Sequence, residues 1–138
     1  MAGTVVMTKG RSGNTRTITF TCVGHATGGA IPDTVTTAPE NEFLRGFSLY
    51  KAEIYPGTPA PTANSDVYLK TSGGVDLLGG NGVDALDAAT VSDIPASVDG
   101  QSATQPINQG DTLTLSVENQ AVNSAQYVIV AFFQKTGA

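Results

Sequence analysis

From Thr15 to Val23 the chain alternates strictly. Thr stands at positions 15, 17, 19 and 21, while Ile18, Phe20 and Cys22 fill even positions between and after them. A period of two puts successive side chains on opposite faces of a strand, whereas a helix would scatter the threonines around its circumference. The segment predicts a strand with Ile18, Phe20 and Cys22 turned to a core and the threonines to water. The same alternation recurs at Leu113, Leu115 and Val117 and at Val67 and Leu69. Phe47, Leu49 and Tyr50 through Tyr55 predict a longer strand that stops at Pro56-Gly57. Tyr127 to Phe133 is apolar at every position, which predicts a central strand covered on both faces. Thr4–Thr8 reads as a short first strand and Asp33–Thr37 as a fainter one. The expected core is Ile18, Phe20, Leu49, Val67, Leu69, Leu113, Leu115, Val117, Ile129 and Phe133.

Turn residues punctuate these runs: Lys9 to Asn14, Thr27-Gly28-Gly29, Pro56-Gly57, Pro59-Ala60-Pro61, Ser72-Gly73-Gly74, Asn108 to Asp111 and Asn119. Short strands separated by Gly-rich turns predict an all-β chain, an antiparallel β-sandwich or jelly-roll-like fold, with residues 1–138 as one domain. No convincing amphipathic helix emerges; the best candidate is a single turn within Val83–Thr90. The segment 79–106 is long and weakly periodic, and is expected to lie outside the sandwich.

Composition sharpens this picture. Charged residues make up 14% of the chain, against roughly 25% in typical soluble proteins, and Thr, β-branched and suited to a pleated surface, occurs 18 times. The net charge of −5 argues against a sequence-blind grip on nucleic acid, which needs clustered Lys and Arg. The charges are also unevenly placed. Lys9, Arg11 and Arg16 precede the first acid, Asp33, whereas Thr71 to Gln134 contains no cation and includes Asp76, Asp84, Asp87, Asp93, Asp99, Asp111 and Glu118. That partition has a plain reading, a solvated acidic face, and a sharper one, a basic end of one copy docking on an acidic region of another. The chain opens without a basic, apolar leader and contains no apolar run near the roughly 20 residues of a membrane helix. Together with the single Cys22, this predicts synthesis in a reducing cytoplasm and no membrane partner.

Reactive groups are scarce. His25 is the only histidine, so a Ser nucleophile would have one possible imidazole base. Cys22-x-x-His25 has the spacing of half a zinc site, with no second Cys or His to complete it. No phosphate-binding Gly-Lys-Ser or Gly-Lys-Thr follows a glycine loop. The segment Gly79-Gly80-Asn81-Gly82-Val83-Asp84-Ala85-Leu86-Asp87 fits the nonapeptide of calcium-binding β-helices. In those proteins neighbouring turns share each ion, and a single copy has no neighbour. A glycine-rich loop is therefore the expected reading, with Asp84 and Asp87 as the calcium candidates. Tyr68, turned away from the Val67/Leu69 face, could anchor an interface or platform a ligand. No catalytic residue, metal or cofactor is expected, and the chain reads as a non-enzyme.

Four stretches form a further pattern: Leu49-Tyr50 to Tyr55-Pro56-Gly57 with Pro61-Thr62; Asp66-Val67-x-Leu69; Gly74-x-Asp76-x-Leu78-Gly79-Gly80-x-Gly82; and Leu113-Thr114-Leu115-x-Val117-x-Asn119. The pattern, over about residues 45 to 133, resembles small virion structural proteins of tailed bacteriophages. The resemblance implies an accessory particle protein that binds other virion subunits (capsid, portal or tail) and further copies of itself, and that resides on the virion. It transfers no functional residue. Lys9, Arg11, Arg16 and Tyr68 are the interface candidates. A function of a different class also fits a sandwich, a carbohydrate-binding or adhesive receptor-binding tip, although sugar sites usually stack pyranose rings on Trp or Tyr and this chain contains no Trp.

Overall fold

A computed structural model describes residues 3–98, 101–102, 105–106 and 112–135. The strands, in chain order, are β1 (Thr4–Ser12), β2 (Thr15–Val23), β3 (Thr34–Val35), β4 (Phe47–Pro56), β5 (Asp66–Thr71), β6 (Ser92–Pro95), β7 (Ser97–Val98), β8 (Gln101–Ser102), β9 (Gln105–Pro106), β10 (Leu113–Glu118) and β11 (Gln126–Lys135), with one helix, α1 (Ala38–Phe43). They form two antiparallel sheets and a small β7–β8 hairpin. The large sheet runs β1-β2-β11-β4-β6, with β9 also on β4, and the small sheet runs β3-β10-β5. The chain is all-β and sandwich-like, as its alternation predicts.

The hairpin β1–β2 shows how directly pattern becomes structure. Ile18, Phe20 and Cys22 are fully buried while Thr21 is exposed. The turn is tighter than the six residues Lys9–Asn14 suggest: Ser12 pairs with Thr15, leaving only Gly13 and Asn14 between the strands. Gly13 takes φ +59°, the left-handed region that two-residue hairpins require and that glycine enters freely. The ladder then propagates without interruption, so Lys9, Gly10, Arg11 and Ser12 belong to β1 and the first strand is nine residues long.

Strand β11 is central, between β2 and β4, but it is not covered on both faces. Tyr127, Ile129, Ala131 and Phe133 are buried, whereas Val128, Val130 and Phe132 are half-buried. Their cover is lateral. Thr17, Thr19 and Thr21 flank them on β2, and Lys51, Glu53 and Tyr55 on β4. Lys51 Nζ lies 4.8 Å from the Phe132 ring centroid, its long stem serving in place of a second layer.

The core joins these residues to Leu49 and Ile54 on β4, Val67 and Leu69 on β5, and Leu113 and Leu115 on β10. Nine of the ten expected core residues are buried; Val117, near the end of β10, is half-buried against the cluster. Two parts of the chain depart from expectation. Residues 79–98 are not wholly external, because Leu86, Ile94 and Ala96 are buried and β6 zips onto β4. Gly82 makes this docking possible: its carbonyl accepts the Val67 N–H at 2.9 Å, and a Cβ there would stand 2.0 Å from the Val67 carbonyl oxygen. The turn considered within Val83–Thr90 is not helical. The helix lies instead at Ala38–Phe43, opened by a capping box in which Thr37 and Glu40 satisfy each other's backbone N–H groups, with Pro39 in the first turn. The turn at Asn108–Asp111 and the residue Asp99 fall outside the described residues.

Candidate interaction interface

The hairpin register brings three cations together. Arg11 is directly opposite Arg16, and Lys9 opposite Ile18. Residues that face each other across an antiparallel pair point to the same side, so Lys9, Arg11 and Arg16 continue the inward-facing row of Val5, Met7, Ile18 and Phe20. The apolar row thus turns cationic as it nears the hairpin tip. Phe43, at the end of α1, lies against it. Its ring centroid is 5.8 Å from Lys9 Nζ, 5.6 Å from Arg11 Cζ and 4.8 Å from Arg16 Cζ, and Arg16 is 4.2 Å from the Phe47 ring as well. The Arg16 guanidinium also donates to the Phe43 carbonyl. Each contact falls within the cation–π range. Lys135 is the cross-strand partner of Phe47, and Arg45 lies between Phe43 and Phe47 in the chain. Five of the seven cations therefore gather at one corner.

Among the described residues none of the five forms an ion pair; the pair present is Lys51–Glu53, at 3.0 Å elsewhere on the large sheet. Glu40, the acid in the first turn of α1, is within Coulombic reach of Lys9. Slight burial would raise its carboxyl, but the hydrogen bonds from Thr37 outweigh it and hold the carboxyl below its ordinary range, so Glu40 is engaged in capping the helix.

Tyr68 stands on the outer face of the small sheet. It faces Ser116 across the β5–β10 pair, next to the Asp66–Glu118 pair on one side and the Lys70–Thr114 pair on the other. Lys70 Nζ sits 5.0 Å from its ring centroid. Desolvation, and then the carboxylates of Asp66, Glu118, Asp76 and Asp84, push the Tyr68 hydroxyl above its ordinary value. The half-buried phenol thus has four acids around it and one cation over its ring.

Several acids of this face have structural duties. Asp66 accepts the Asp84 N–H at 2.8 Å and the Asn119 side-chain amide at 2.8 Å. Asp76 accepts N–H bonds from Leu69, Leu78 and Gly80, at 3.2, 3.2 and 3.0 Å, and so builds the 76–80 turn. Of the calcium candidates, Asp87 accepts the Ala89 and Thr90 N–H groups, which hold its carboxyl below the ordinary range. Asp84 is exposed, at φ +59°. No cluster of three or more His, Cys, Asp or Glu side chains suited to a metal occurs among the described residues.

The remaining reactive groups are also placed. Cys22 is enclosed in the core, and burial pushes its thiol up from 9.0 to about 12. His25 lies half-buried in the loop after β2, with Nδ1 accepting the Thr27 N–H at 2.8 Å. Gln120, which the sequence did not single out, is a buried hub. Its carbonyl accepts from Thr62 and Val122, and its amide donates to the Gly29 carbonyl at 2.6 Å. Sequence reasoning also missed Phe43, Phe47, Arg45 and Lys135. The capping box before Phe43 was the one readable signal, and it says nothing about Arg16, 27 residues upstream of that ring. No helix among the described residues is long and apolar enough to cross a membrane. No family model, curated protein or solved structure matches the chain.

Proposed function

We propose that this chain is a non-enzymatic structural subunit of a bacteriophage virion, working in multiple copies on a larger particle through the surfaces of its β-sandwich. The observation that carries the reading is the segregation of charge on the folded surface. Three cations, Lys9, Arg11 and Arg16, gather on two aromatic rings at one corner, and the carboxylates of Asp66, Glu118, Asp76 and Asp84 act on Tyr68, on the outer face of the other sheet. Complementary fields of this kind steer and orient one protein surface on another.

The groups that could support catalysis are otherwise engaged. Asp66, Asp76 and Asp87 accept backbone N–H groups, the Cys22 thiol stays protonated in the core at neutral pH, and His25 Nδ1 is an acceptor within its own loop. The turn-and-strand pattern over residues 45 to 133, which resembles virion accessory proteins, points the same way. The test is recovery. Particles purified on a density gradient from the source culture should carry the chain at many copies each, measured by quantitative mass spectrometry. Recovery only in the particle-free fraction would refute the reading.

A further inference from the structure

We propose that the subunit associates head to tail with itself: the Lys9/Arg11/Arg16 corner of one copy docks on the Tyr68 face of a second copy. The inference rests on the assembly reading above and names one partner for it.

The corner is built to present charge. Three cations converge on the Phe43 ring, and the described residues supply none of them with a carboxylate partner within ion-pair distance. Like charges brought this close repel one another unless an anion is shared among them. Arg16 is fixed by the Phe43 carbonyl and two rings, while Lys9 and Arg11, exposed on the edge strand, rest against the Phe43 ring. The rings hold the cationic groups in place, so less side-chain freedom is lost when an anion arrives.

The second copy supplies the matching surface. Asp84 and Glu118 are exposed and Asp76 is half-buried, and Lys70 Nζ lies over the Tyr68 ring. Tyr68 lies among these acids, amphipathic and half-buried, the kind of side chain that anchors interfaces. The corner belongs to the hairpin tip of the large sheet and the Tyr68 face to the outside of the small sheet, so each copy carries both halves of the contact at different places. Such a contact is heterologous. It closes into a ring or propagates as a filament, according to the rotation between copies.

Sedimentation velocity with a charge swap tests this. The wild-type chain should sediment as multimers at about 0.1 M salt and as a monomer near 1 M, where the screening length falls from about 10 Å to about 3 Å. Lys9→Glu with Arg11→Glu should make the chain monomeric at the lower salt. Asp84→Asn with Glu118→Lys should do the same; Asn is chosen because it tolerates the positive φ at 84. In an equimolar mixture the swapped corner of the first variant meets the swapped face of the second with reversed sign, the native corner of the second meets the native face of the first, and multimers should form again. Circular dichroism and melting curves establish that each variant folds, and Lys9→Glu alone replaces the first pair if it does not.

A wild-type chain monomeric at every salt concentration would overturn the inference. So would a folded variant that assembles like wild type, or a mixture of folded variants that stays monomeric. A chain that is monomeric alone but abundant on particles would sink the self-contact and leave the assembly reading standing. Self-association that follows the charge swap, in a chain absent from particles, would do the reverse.

Discussion

Replacing Tyr127 by Phe should stabilise the protein. Tyr127 is 1% exposed, lies on β11 opposite Cys22 and Pro56, and its hydroxyl has no hydrogen-bond partner among the described residues. An unpaired buried hydroxyl costs about 1–3 kcal/mol, because water bonded it in the unfolded chain and nothing replaces that bond. Phe keeps the ring and removes one oxygen, so it opens no cavity of consequence. The lower end of the range applies, since the void left by the oxygen forfeits a few dispersion contacts. Tyr127→Phe should therefore gain about 1 kcal/mol, equivalent to a rise of about 3–5 °C in melting temperature for a domain of this length. Urea denaturation of the two chains at pH 7, followed by far-ultraviolet circular dichroism, reads this as a higher midpoint at unchanged slope. A loss of 1 kcal/mol or more would show that the hydroxyl is bonded in solution, and that the reading of this part of the core is wrong.

Phe20, fully buried at the centre of β2, should cost about 3–5 kcal/mol as Ala; a melting shift of only a degree or two would contradict the strand register. Asp76→Ala removes the acceptor of three backbone N–H groups and should cost about 2–4 kcal/mol, with Asp76→Asn recovering part of it; equal midpoints for all three proteins would refute that role. Stability should also fall above pH 9. The Cys22 thiol titrates at about 12 when folded and near 9.0 when unfolded, so the unfolded chain loses its proton first. The contribution is whole below pH 9 and shrinks by roughly 1.4 kcal/mol per pH unit as pH rises toward 12. Cys22→Ala should flatten the slope above about pH 9 relative to the wild-type chain, which carries the same tyrosines, and an unchanged slope would argue against a buried thiol. Chelator should leave the melting temperature unchanged, because Asp87 serves its own loop; a fall reversed by added calcium would make Asp84 and Asp87 ligands.

The faces of the strands are written locally in the chain. In Thr15–Val23 the alternation assigned Ile18, Phe20 and Cys22 to the core, and a period of two leaves a half-buried strand no other choice. The same holds for Leu113 and Leu115, and for Val67 and Leu69. The sequence also carried the partition of charge along the chain. Everything that depends on pairing between distant segments waited for the folded sheets. Whether the apolar run of β11 would be covered on its second face depended on a layer that the described residues do not provide, and Thr17 to Thr21 and Lys51 shield it instead. The burial of Leu86 and Ile94 rests on the close approach of Gly82 to Val67 and on β6 reaching β4, neither of which leaves a local period. The basic corner exists because a two-residue turn sets Arg11 opposite Arg16 and the chain then returns Phe43 and Phe47 to cover them. Side-chain direction is a local property of the backbone, written in every second residue; proximity between residues 16 and 43 is settled only when the sheets close.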